Sequence, residues 1–156
     1  MKNLTGYSSS FAQDRTGEKY VVLIADDDRL NLQLTTDALK LLGCHVEAVS
    51  DGRAAVEALI YRRFDLAFMG VQMPRLDGLH ATRRVRRSEG SSGRRLPIIA
   101  LTAGDSPDEL LACTQAGMDD VLVKPFPLAA MRDMLRKWCR SEQNAERLGR
   151  LVRLAL

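Results

Sequence analysis

Apolar residues along this chain fall into short continuous runs, separated by longer stretches where they recur at helical spacing. Tyr20 to Ala25 (YVVLIA) is apolar throughout, as expected of a strand covered on both faces. Shorter runs follow at His45 to Val49, Asp65 to Met69, Pro97 to Leu101 and Asp120 to Val123. Between them the pattern predicts helices. The first spans about Arg29 to Leu42, with Leu30, Leu34, Ala38 and Leu41 on one face and Gly43 as its stop. A second follows a cap at Ser50 or Asp51 and runs through Ala54, Ala55, Ala58 and Leu59. A third starts after Asp77-Gly78 and reaches about Arg87; a fourth is opened by Ser106-Pro107 and closed by Gly117. The last runs from about Leu128 to Cys139.

Five strands alternating with five helices, joined by crossovers too long for hairpins, predict an α/β fold. The expected form is a parallel sheet with helices on both faces, flavodoxin-like and doubly wound, in the order 2-1-3-4-5. Residues 19–140 form this domain. Residues 1–18, rich in Ser, Thr and Gly without periodicity, read as a flexible leader. Residues 141–156 place Leu148, Leu151, Val152 and Ala155 on one helical face and read as a helical extension or linker.

Length and composition narrow the picture only modestly. A chain of 156 residues, 46% hydrophobic and 28% charged, is long enough for a core of its own. Its net charge of +3 does not imply nucleic-acid binding by this domain. Arg83, Arg84, Arg86, Arg87, Arg94 and Arg95 crowd one helix and its following loop. They read as a solvated face, with an acidic partner surface as the alternative. Cys44, Cys113 and Cys139 have neither disulfide nor zinc spacing and read as small buried apolar groups. His45 and His80 lack metal-ligand spacing. No run is long enough for a membrane span and no secretion signal is evident, so the expectation is a cytoplasmic protein with no membrane partner.

The chemistry lies at the carboxyl ends of the strands, the edge where open parallel sheets bind their ligands. The first strand ends in Asp26-Asp27, the third in Gly70, the fourth in Thr102 and the fifth in Lys124. In the proposed order these four strands are neighbours, so their ends converge. No glycine-rich phosphate loop follows the first strand and no Ser-His or Cys-His pair is evident, which weakens a hydrolase reading.

Several stretches together resemble the receiver domains of two-component phosphorelay signalling, most closely those of hybrid histidine kinases. They are Val22 to Asp28, Val71-Gln72-Met73-Pro74 with Asp77-Gly78, Pro97 to Ala103, Ala116 to Asp120, and Lys124-Pro125. The resemblance implies that an Asp at the end of the third strand should accept a phosphoryl group from a phosphohistidine. Where relatives read Met-Asp-Val-Gln-Met-Pro, this chain reads Met69-Gly70-Val71-Gln72-Met73-Pro74. A hydrogen atom cannot act as that nucleophile. The resemblance further implies that Asp27 binds Mg²⁺ directly, Asp26 through water, and Gln72 through its backbone carbonyl. With Gly70 in place of a third carboxylate, the expectation is no cofactor, or weakly bound Mg²⁺. Thr102 and Lys124 correspond to the groups that hold phosphoryl oxygens, and without a phosphoryl group Lys124 should pair with Asp26 or Asp27. Val121 replaces the usual aromatic switch residue, and the Lys124-Pro125 bond is expected to be cis.

The resulting expectation is a receiver-like, non-enzymatic module for protein–protein interaction. Its partners would be a histidine kinase, a histidine phosphotransfer domain or another receiver, docked through the first helix and the loops around Asp28 and Pro125. The alternative is an ordinary phosphoacceptor receiver carrying an isolated substitution at position 70.

Overall fold

The computed structural model of the chain describes residues 19–90 and 92–139. The expected leader and the 141–156 extension lie outside the described residues. Five parallel strands, β1 (Val21–Ala25), β2 (His45–Val49), β3 (Leu66–Gly70), β4 (Ile98–Thr102) and β5 (Asp120–Val123), form one sheet in the order β2-β1-β3-β4-β5. The expected topology is therefore the observed one. β1 starts one residue later than its apolar run, while β3 and β4 are displaced by one residue towards the carboxyl edge, so that Gly70 and Thr102 end them. The Asp65 carboxylate accepts the Val21 N–H at 2.7 Å and sits before β3 rather than in it.

The helices are α1 (Arg29–Leu41), α2 (Gly52–Tyr61), α3 (Gly78–Glu89), α4 (Pro107–Ala116) and α5, residues 128–139. Each of the first four starts where a side-chain oxygen can accept an otherwise unpaired N–H. Asp28 caps Asn31, Asp51 caps Ala54, Asp77 caps His80 and Ser106 caps Glu109. At Ser106 the Glu109 side chain returns the bond to the cap residue, completing a capping box. α1 and α4 end with the paired reverse bonds of a Schellman motif. Gly43 (φ 92°) and Gly117 (φ 103°) take the left-handed position that a side chain would resist.

Strand residues alternate between two cores, as the two-residue period demands. Leu23, Ala25, Ala67, Met69, Ile98 and Ala100 face α2, α3 and α4. Val22, Ile24, Leu66, Phe68, Ile99 and Leu101 face α1 and α5, meeting Leu39, Met131 and Leu135. All three cysteines are buried, and burial, with the nearby Asp65 charge, pushes the Cys44 thiol up to about 12. No helix of the described residues is long and apolar enough to cross a membrane.

Two readings need correction. Of the stripe Leu30, Leu34, Ala38 and Leu41 on α1, Ala38 packs against the core and the three leucines do not. Leu30, Leu34 and Leu41 are 68%, 57% and 82% exposed, whereas Thr35, Thr36 and Leu39 are buried, flanked by Leu32 and Leu42. The stripe that meets the core is turned away from the leucine-rich one and centres on Leu39.

The arginines are also not uniformly a solvated face. Arg86 is largely buried and donates to Glu89, Asp119 and the carbonyls of Leu96 and Gly117, tying α3 to the turns before β4 and β5. Arg95 also reaches Asp119, and Arg94 donates to the Phe64 carbonyl. Arg83, Arg84 and Arg87 are exposed as expected.

Candidate functional site

Parallel strands that end in register deliver consecutive side chains to one edge. Here β1, β3, β4 and β5 bring Asp27, Gly70, Thr102 and Lys124 to the rim of a cleft of about 370 Å³, together with Gln72. The pairing of Ala25 with Met69 and of Gly70 with Leu101 sets Gly70 between the ends of β1 and β4.

Asp26 lies beneath this cleft at 1% exposure. One carboxylate oxygen accepts the Asp28 N–H at 3.0 Å, and the other accepts from Lys124 Nζ at 2.7 Å. Of the two acids that could pair with the lysine, the buried one holds it. Asp27 remains exposed and Asp28 is used as the α1 cap. Thr102 is 8% exposed and its Oγ1 accepts the Gly104 N–H at 3.1 Å, leaving the hydroxyl proton available to a neighbour. The Lys124 backbone N–H donates to the Thr102 carbonyl at 2.7 Å, locking β5 to β4 at the rim. The Lys124-Pro125 peptide bond is cis.

Gly70 is buried and its backbone is not in the left-handed region. A Cβ placed there would lie 3.0 Å from the Ala25 carbonyl and 3.4 Å from the Met73 Cγ and Sδ. A side chain at this position requires the Ala25 carbonyl and Met73 to give by a few tenths of an ångström. Gly78 behaves differently: a Cβ would fall 1.9 Å from the Gly70 carbonyl. The Gly78 N–H also donates to Val71 O at 2.8 Å, so α3 begins in direct backbone contact with the β3 loop.

Val121 does not line the cleft. It stands opposite Ala100 on β5, partly buried against the α2–α4 core. Among the lining residues with polar side chains, Asp28, Asn31 and Glu109 were not singled out from the sequence as part of this site. For Glu109 a signal existed in the Ser106-x-x-Glu109 capping pattern, which folds its carboxylate back so closely that a Gly104 Cβ would meet Oε2 at 2.1 Å.

With Asp26, Asp27, Asp28 and Glu109 around a single ammonium, the cleft favours cations. As a magnesium site its donor set is incomplete. Both oxygens of Asp26 are engaged, Asp27 is the exposed carboxylate, and no group of three metal-ligating acids, histidines or cysteines stands together among the described residues.

Comparison with known proteins places this geometry in a family. A family model described as the response regulator receiver domain matches residues 22–136. The chain is 42% identical over 118 residues to the sensor protein GacS of Pseudomonas syringae pv. syringae, covering 75% of this chain and 13% of that protein. It is 42% identical over 120 residues to the response regulator MprA of Mycolicibacterium vanbaalenii, covering 74% of this chain and 50% of that protein. The chain thus spans half or less of the length of these relatives.

Among solved structures, the receiver domain of the sensor histidine kinase PA1611 from Pseudomonas aeruginosa, with magnesium in its active-site cleft, is 38% identical. It superposes with a TM-score of 0.71 over 77% of this chain and 97% of that one. The receiver domain of the Arabidopsis thaliana histidine kinase CKI1, complexed with Mg²⁺ and BeF₃⁻, is 31% identical with a TM-score of 0.73, over 85% and 94% of the two chains. The sheet order, the convergence of four strand ends and these matches together lead to one conclusion: the chain belongs to the response regulator receiver domain family of two-component phosphorelay signalling.

Proposed function

We propose that this receiver does not accept a phosphoryl group at the family's usual position and acts as a protein–protein interaction module. The observation that carries this reading is Gly70 at the end of β3, on the cleft that Thr102 and Lys124 also line; the sequence resemblance assigns the acceptor carboxylate to that position. The ammonium that would hold a phosphoryl oxygen is already paired with Asp26, so it has a counter-charge without a ligand. Mg²⁺, which two of the solved relatives hold, binds weakly here or not at all, through Asp27, Asp26 and the Gln72 carbonyl. Val121 adds nothing to a switch: a β-branched side chain packed in the core has no large rotamer swing to offer. No catalytic turnover is assigned.

The docking face is α1 and the loop after β5. Leu30 and Leu34 are exposed there, beside a groove of about 550 Å³ lined by Ala38, Pro125, Phe126 and Leu128. A rim of apolar residues over an acidic cleft suits a helical partner such as a histidine phosphotransfer domain, or the corresponding surface of a histidine kinase or another receiver. Calorimetry with phosphotransfer domains from the same pathway, followed by mass measurement, tests the reading. Binding without any gain of a phosphoryl group is expected; labelling of the unaltered chain, or no binding to any pathway member, overturns it.

A second reading, an ordinary acceptor domain with an isolated change at position 70, draws support from Gly70 itself, whose backbone is outside the left-handed region and where a Cβ would meet nothing closer than 3.0 Å. The Gly70→Asp variant decides this with acetyl phosphate and Mg²⁺. Rapid labelling favours the second reading, and a variant that remains unlabelled favours the first.

A further inference from the structure

A second cleft, of about 430 Å³, opens at the opposite edge of the sheet, between the C-terminal ends of α2 and α3. Phe64 and Leu96, which precede β3 and β4, line it, so it lies about one strand length, ~17 Å, from the Lys124 cleft. Its floor is apolar: Leu59, Ile60, Phe64 and Leu96. Ile60 is 44% exposed and the adjoining Tyr61 81% exposed, a large apolar surface for helix-end residues.

The rim is basic. Arg62, Arg63 and Arg94 line the cleft, and Arg84 shares the helical face of Ser88, one turn away. Arg63, Arg84 and Arg87 are exposed. Two of the acids nearby are already engaged. Glu89 is held by Arg86 and by the Leu96 N–H, and Glu47 by Arg62, whose guanidinium also lies 5.8 Å from the Phe64 ring centroid. Arg63, Arg84 and Arg87 make no ion pair among the described residues, which leaves a surplus of positive charge around an apolar slot.

We propose that this cleft docks an acidic segment of a partner protein, carrying an apolar anchor residue that enters the slot between α2 and α3. The floor distinguishes this occupant from nucleic acid. Phosphate-dominated binding needs charge spread over many contacts, whereas the whole chain carries only +3, and the aromatic in the slot is covered at 4% exposure. Apolar anchors flanked by complementary charge are the pattern of a peptide-binding groove. Standing at the far edge from the α1 face, the cleft would let the module hold two proteins at once.

The test uses the full 156-residue chain and a fluorescein-labelled peptide of twelve residues, Asp and Glu flanking a central Leu-Phe pair, at about 0.15 M salt. Anisotropy should show saturable binding, about tenfold weaker when Leu-Phe becomes Ala-Ala. Arg63→Glu and Arg84→Glu should each weaken binding about tenfold, while Lys40→Glu, the same charge change on exposed α1, should alter it less than twofold. Unchanged melting temperatures would confirm that the variants fold. Absence of peptide binding, equal losses in all three variants, indifference to the Leu-Phe pair, or tighter binding of a twelve-nucleotide single strand would each overturn the proposal. No phosphorelay component enters this assay, so its result is separate from that of the α1 face.

Discussion

Removing the Lys124 ammonium would leave the Asp26 carboxylate, 1% exposed, with the Asp28 N–H as its remaining hydrogen-bond partner. An uncompensated buried charge is costly, so Lys124→Met should destabilise the domain by on the order of 3 kcal/mol. Pairing it with Asp26→Asn should recover much of that loss, because the amide needs no counter-charge. Urea unfolding of the single and double variants checks both statements. At Gly70 the balance runs the other way. A carboxylate introduced about 5 Å from another acid meets repulsion of roughly 3 kcal/mol at an effective dielectric near 20, partly offset by Lys124. Losing a strand glycine returns only about 0.5–1 kcal/mol. Gly70→Asp should therefore melt no higher than the parent in chelator, and should respond more strongly to added Mg²⁺. A much more stable variant in chelator would contradict this electrostatic account.

α1 shows how an element can be recognised while its orientation is misjudged. Two stripes compete on it, Leu30-Leu34-Leu41 and Leu32-Thr35-Thr36-Leu39-Leu42, and only the second meets the sheet. Leu39→Ala should cost about 2–5 kcal/mol, as expected of a core leucine, whereas Leu34→Ala should stay within about 0.5 kcal/mol. Chemical denaturation distinguishes them directly. On the same buried face the Thr36 hydroxyl meets no hydrogen-bond partner among the described residues. Thr36→Val, close in shape and without the hydroxyl, should raise stability by about 1 kcal/mol.

For the whole molecule, the ties between sheet and helices depend on pH. Asp120, at the start of β5, accepts from Lys137 Nζ at 2.8 Å and Trp138 Nε1 at 3.1 Å on α5, and from the Val121 N–H. Burial alone would raise its pKa. The hydrogen bonds from Lys137, Val121 and Trp138, with the Lys137 charge, outweigh that and hold it below the usual carboxylate value. A carboxylate with a depressed folded-state pKa stabilises above its unfolded value, about 3.9, and loses that contribution as pH falls through the folded one. Asp120→Asn should thus be less stable than the parent at pH 7, with the gap closing below about pH 4, as followed by thermal melts across that range.

By itself the sequence determined the elements, their order and the strand ends that form the cleft. Apolar runs of strand length, Asp and Ser caps, and Gly43 and Gly117 at the stops are local signals, each set by the bonding needs of a few adjacent residues. The topology followed because parallel strands joined by helices have few alternatives. Only the tertiary structure decided which stripe of α1 faces inward and that Lys124 chooses Asp26 over Asp27. It also turned Arg86 from a surface charge into a clasp on Asp119, and brought Glu109 into the cleft. These are contests between near-equal local options, settled by neighbours distant in sequence: a core that takes in Leu39, a carboxylate buried deeply enough to need the lysine, and a turn whose carbonyls lie within reach of α3.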